Sequence, residues 1–219
     1  MRKKTMKLKS IVIILTCLTI LSFTKKDETK WISINWVDNI ENDFSFKDEW
    51  SYPEGVYKNK FGQLSCHGIC PPEIDRMKNE EGKIYPDSLK AFYAIVDTTH
   101  LFHSIKSEAW TYEWAGTDFM TFKKQEYNSI LGQSTCNVST HSGLNIEIKN
   151  GSFRAWIDYN SITNLGKQIF RMKEGHIIVD KQLFDQGVIK AEFDLKFVNT
   201  LDAEKEMYWK GLIYSSIEE

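Results

Sequence analysis

The stretch Leu144-Asn-Ile-Glu-Ile-Lys149, Asn150-Gly151, Ser152-Phe-Arg-Ala-Trp-Ile157 decides the fold class. Asn-Gly supplies two successive residues that tolerate positive φ, as a two-residue type I′ hairpin turn requires. The register follows from the turn: Lys149 faces Ser152, Ile148 faces Phe153, Ile146 faces Ala155 and Leu144 faces Ile157. The last three pairs are apolar and share one face, while Glu147 meets Arg154 on the other as an opposite-charge pair. Turn chemistry, alternation and charge agree on a half-buried antiparallel hairpin.

Toward the C-terminus the same period of two continues. Glu174-Gly175 reads as a second hairpin turn, setting Met172 against Ile177 and Phe170 against Val179. Ile189, Ala191, Phe193, Leu195 and Phe197 alternate with Lys190, Glu192, Asp194 and Lys196, the pattern of a strand with one solvated face. Met207 to Ile217 forms a last strand with Trp209 and Ile213 on one face. Toward the N-terminus the β pattern reaches back to about residue 103. Ahead of it, residues 87–97 predict a helix capped by Asp87 or Ser88, with Leu89, Phe92, Tyr93 and Val96 on one face. Pro71 to Met77 predicts a shorter helix, and Trp31 to Val37 has strand-type residues. The expected fold is mainly β (α+β): an antiparallel meander forming a sandwich or barrel, with one or two short helices on one side.

Of the 219 residues, 42% are hydrophobic and 26% charged, which excludes a wholly disordered chain, a collagen-like repeat and a polytopic membrane protein. The first ten residues are basic, and Ile11 to Phe23 is an uncharged run of thirteen. That is short of the roughly 20 residues a spanning helix needs. A basic start before a short apolar run reads as a secretory signal. Residues 1–24 are therefore expected to be a signal peptide and 25–219 a single β-rich domain, exported to the periplasm, cell surface or medium, with no membrane span in the mature chain. Cys17 is a weak lipidation candidate, because Thr16 precedes it where a smaller residue is expected. Removing residues 1–24 takes five of the 28 Lys/Arg and no acid, leaving 23 against 30 and a net charge of −7. An acidic mature chain argues against nucleic acid and against an anionic membrane surface.

Cys66, Cys70 and Cys136 remain in the mature chain, where export permits disulfides. The larger loop gives the larger entropic constraint, so a bridge from Cys136 to Cys66 or Cys70 is expected, with Cys66–Cys70 the competing outcome. Gly62-Gln-Leu-Ser-Cys-His-Gly-Ile-Cys-Pro71, Val96-Asp-Thr-Thr-His-Leu-Phe-His103, Glu113-Trp-Ala-Gly-Thr-Asp-Phe119, Lys190-Ala-Glu-Phe-Asp194 and Met207-Tyr-Trp-Lys-Gly211 carry a further signal. Together they resemble a group of uncharacterised exported proteins from Bacteroidetes-type bacteria. The resemblance implies export and a bacterial source, and carries no activity.

Two constellations could form a site. His100 and His103 are three apart, as metal ligands on one helix face are, and Cys66, His67, Cys70, Cys136 and His141 could add to them. The second is Glu108 to Asp118. As a strand it lines Trp110, Tyr112 and Trp114 on one face, a row able to stack on sugar rings, with the Glu113 carboxylate on the other. No Gly-rich phosphate loop, Gly-x-Ser-x-Gly or His-Glu-x-x-His occurs, so no cofactor is implied. The leading expectation is an exported non-enzymatic protein that binds a small ligand or an envelope protein. The alternative is a metal-binding protein or metal-dependent enzyme using His100, His103 and nearby Cys/His.

Overall fold

The computed structural model describes residues 30–68, 70–137 and 139–219. The expected signal segment 1–24, with Cys17, lies outside the described residues. The chain first lays down β1 (Ile32–Ser33), β2 (Asn35–Val37), β3 (Trp50–Ser51), β4 (Val56–Lys58), β5 (Leu64–Cys66), helix α1 (Leu89–Ile95), β6 (Leu101–Phe102) and β7 (Ile105–Trp110). There follow β8 (Phe119–Gln125), β9 (Ser129–Thr135), β10 (Ser142–Lys149), β11 (Ser152–Asn160), β12 (Lys167–Asp180), helix α2 (Lys181–Asp185), β13 (Val188–Phe197) and β14 (Met207–Glu218).

Strands β8 to β14 close into a seven-stranded barrel. Each pairs antiparallel with the next in sequence. The ring closes where Ile217 meets Phe122 and Glu218 meets Lys123, and that pair is parallel. An up-and-down meander with an odd number of strands ends in the direction it began, so its closing pair has to be parallel. The expected antiparallel meander thus becomes a mixed barrel.

The Asn150-Gly151 hairpin forms as expected, with φ of 50° and 73° and Ile148 opposite Phe153. Inward positions alternate around the ring. Ile189, Ala191, Phe193, Leu195 and Phe197 are all buried, as are Phe122, Phe153, Phe170 and Trp209. Each large side chain so buried contributes roughly 1.5–3 kcal/mol. The Trp209 indole N–H donates to Ser107 Oγ at 2.9 Å, so even this polar atom is satisfied. Inward-facing side chains pack the barrel interior into one hydrophobic core.

The expected hairpin at Glu174-Gly175 does not form. Strand β12 runs unbroken through it, with Met172 opposite Phe197 and Ile177 opposite Phe193. The register shifts between Met172 and Glu174, and a Cβ on Gly175 would lie 2.5 Å from the Asp194 carbonyl oxygen. The glycine serves a bulge and a close backbone approach, not a turn. On its other edge β12 pairs with β11 over Lys167–Arg171 and diverges beyond. The N-terminal segment fills this split: β1 lies antiparallel on β11, β2 lies parallel on β12, and Ile34 between them enters the core.

Helix α1 is shorter than expected, and Ser88 at its N-cap makes no side-chain cap bond. Phe92 and Val96 are buried, whereas Tyr93 is exposed. Helix α2, absent from the sequence reading, starts where Asp180 Oδ1 accepts from Leu183 N at 3.0 Å. Trp50 pairs with Phe102 and Ser51 with Leu101, closing off the segment between as a lobe. The lobe has its own core of Cys66, Ile74, Ile84, Phe92 and Val96.

The expected bridge to Cys136 is not formed. Cys66 is paired with Cys70 inside the lobe. Cys136 follows β9 on the barrel, buried, with Sγ 3.3 Å from Thr140 Oγ1. The two sulfurs four residues apart meet at little cost in loop closure. Cys136 follows a barrel strand, so the longer bridge would have to tie lobe to barrel.

Candidate functional site

Strand β7 ends at Trp110, and residues 111–118 loop across the barrel mouth to β8. The expected aromatic row is therefore broken up. Trp110 and Tyr112 pack against the barrel core, and the Tyr112 hydroxyl donates to Asn199 Oδ1 at 3.0 Å. Trp114 projects outward, 61% exposed. Its backbone is nonetheless fixed, because its carbonyl accepts from His141 N at 3.0 Å and Ser142 N at 2.9 Å.

Glu113 turns the opposite way, its side chain 14% exposed. Oε1 accepts from Tyr159 Oη at 2.9 Å and Ser161 Oγ at 2.8 Å, and Oε2 accepts from Ile162 N at 3.1 Å. His141 Nδ1 lies 3.3 Å from Oε2 and 2.9 Å from the Asn160 carbonyl oxygen. Two acceptors around Nδ1 assign a proton to that nitrogen. Burial pushes the Glu113 carboxyl up, but hydrogen bonds from Ile162, Ser161 and Tyr159 with the His141 ring outweigh it and hold it below the usual range. Burial, with the hydrogen bond Tyr159 donates to Glu113 and that carboxylate's charge, pushes the Tyr159 phenol up.

Trp114 forms one wall of a crevice of about 590 Å³ between barrel and lobe. Asn137 and Ser139 flank it on the barrel side, and Glu54, Tyr57 and His67 face it from the lobe. That volume lies in the range of small-molecule sites. His67 sits within the loop that the Cys66–Cys70 disulfide closes. Tyr57, Glu54, Asn137 and Ser139 were not among the residues expected from sequence, since no local pattern reports which lobe loop meets which barrel loop.

His100 and His103 do not face one ion together. The His100 ring stacks on Trp50, with centroids 3.5 Å apart and planes 10° apart. His103 Nε2 lies 2.7 Å from Ser51 Oγ, and its Nδ1 lies 3.9 Å from Glu49. Both serve the β3–β6 pair that closes the lobe. Among the described residues no group of three or more His, Cys, Asp or Glu side chains is placed to hold a metal ion. Among them, too, no helix is long and apolar enough to cross a membrane. Comparison with family models, curated proteins and solved structures finds no match, so the functional reading rests on this geometry.

Proposed function

We propose that this is an exported, non-enzymatic binding protein that takes a sugar-like small ligand in the crevice between lobe and barrel. The observation that carries the reading is Trp114: a large indole held 61% exposed on a rigid backbone inside a concave site. What marks Trp114 among the exposed aromatics is its place in a concave site, where such side chains contact ligands. A flat ring with one apolar face and a polar rim fits, since Trp114 offers the stacking surface while Asn137, Ser139 and Glu54 offer hydrogen bonds at the edge. Export is supported by the basic and apolar N-terminus and by the resemblance to exported bacterial proteins. The metal-dependent alternative gains no support from His100 and His103, which are engaged elsewhere.

Titrating the purified protein with a panel of neutral mono- and oligosaccharides, followed by tryptophan fluorescence, tests the proposal. Binding should be saturable, and Trp114→Ala should weaken it about tenfold, the loss of one stacking contact. An unchanged melting temperature in that variant would confirm an intact fold. Wild-type affinity in the variant, or no response to any sugar, would overturn the reading.

A further inference from the structure

A second cavity, of about 540 Å³, lies on the outer wall of the barrel across β9 to β12. Its floor is Gly143, an outward position between the buried Ser142 and Leu144. A Cβ there would come within 3.3 Å of the Ser134 carbonyl oxygen. Asn145 follows on the same outward row, where a side chain normally meets solvent, yet it is only 2% exposed. Its Oδ1 accepts from Gln133 Nε2 at 3.0 Å, and its Nδ2 donates to Asp158 Oδ2 at 2.9 Å and to the Gly143 carbonyl at 3.3 Å. The three side chains form one fixed polar array along the groove. Asp158, engaged here at one oxygen, keeps acceptor capacity for a ligand.

The remaining lining completes a donor–acceptor set. Lys167, opposite Asn160, supplies an ammonium, and Ile169, opposite Asp158, supplies an apolar surface that is 56% exposed. Acceptor, donor and apolar surface around a glycine floor match a neutral polyhydroxylated ring, with hydroxyls on Asp158 and Lys167 and a C–H face on Ile169. The groove also adjoins the crevice. His141 lines the groove, Trp114 lines the crevice, and their rings are 6.0 Å apart.

We infer that the groove over Gly143 is a second saccharide subsite, so that the ligand is an oligosaccharide running past Trp114 and His141 from crevice to groove. This rests on the crevice reading above and extends it to a chain-length preference. Glu113 becomes a positioning residue for both subsites, since its bonds fix the loop bearing Trp114 and its carboxylate flanks the His141 ring.

The test is calorimetric titration with cello-, laminari-, malto- and chito-oligosaccharides of one to six units. Affinity in at least one series should rise tenfold or more between the shortest and longest members. Gly143→Val, which fills the groove floor, should remove that gain while leaving the shortest binders unchanged. Asp158→Ala, at an exposed position, should do the same and covers the case in which the valine disturbs the sheet. Trp114→Ala should weaken every length. A series that binds with no length dependence, or retention of the gain in both groove variants, would overturn the second subsite and leave the crevice standing. A panel in which no sugar of any length binds would overturn both.

Discussion

Glu113 joins three segments at the barrel mouth: its own loop, His141 ahead of β10, and the turn after β11. Its pKa in the folded protein is held below the unfolded value of about 4.3. A carboxyl depressed in this way adds stability that is present above the unfolded pKa and is lost as pH falls through the folded one. Glu113→Gln should therefore lower the melting temperature at neutral pH and flatten its decline below about pH 4.5; an acid limb identical to wild type would argue against the role. At the other end of the barrel, Gly151 has φ of 73° in the turn that sets the β10–β11 register. Gly151→Val should destabilise by about 1 kcal/mol or more in urea unfolding, because a β-branched residue resists positive φ. Glu113 and Trp114 were legible as candidates from their chemistry. Their division of labour was not, because it depends on Tyr159 and Ser161, whose positions relative to Glu113 are set only when the ring closes.

Among the elements, local chemistry was readable and long-range demand was not. Asn150-Gly151 encodes its turn within two residues. Gly175 looks similar in sequence, but its role is decided by Asp194 across the ladder. The inward stripe of β13 was legible because every second residue is apolar, whereas α2 is too short for a periodic signal and is marked by the Asp180 cap. The lobe follows the same logic, and its disulfide joins the nearer partners. Peptide mapping without reduction should yield a cross-linked Cys66–Cys70 peptide. Reduction should remove about 2 kcal/mol of constraint from the lobe. Hydrogen exchange should then quicken around β4, β5 and α1 while the barrel strands keep their protection, since the two cores are separate. Equal loosening of β8 to β14 would show instead that the lobe holds the barrel together.

Over the whole molecule, the barrel depends on a segment that is not one of its seven strands. Ile32 to Val37 fills the split between β11 and β12, and Ile34 is its buried contact. Ile34→Ala should cost about 2–4 kcal/mol and speed exchange on both flanking strands together. A change confined to β1 and β2 would mean that the split closes without them.

The parallel seam has a consequence for how the molecule is made. The ring is completed when Ile217 and Glu218 reach Phe122 and Lys123, so a growing chain has no closed barrel until β14 has been delivered. The opposite end waits just as long: Ile32 appears early, yet its partner Phe153 follows more than a hundred residues later. Closure thus waits on a few distant pairings, which makes it slow. Meanwhile the aliphatic and aromatic residues destined for the interior stand open to other chains, and strand edges stay unpaired. Aggregation of this protein is therefore decided before β14 has emerged and closed the ring.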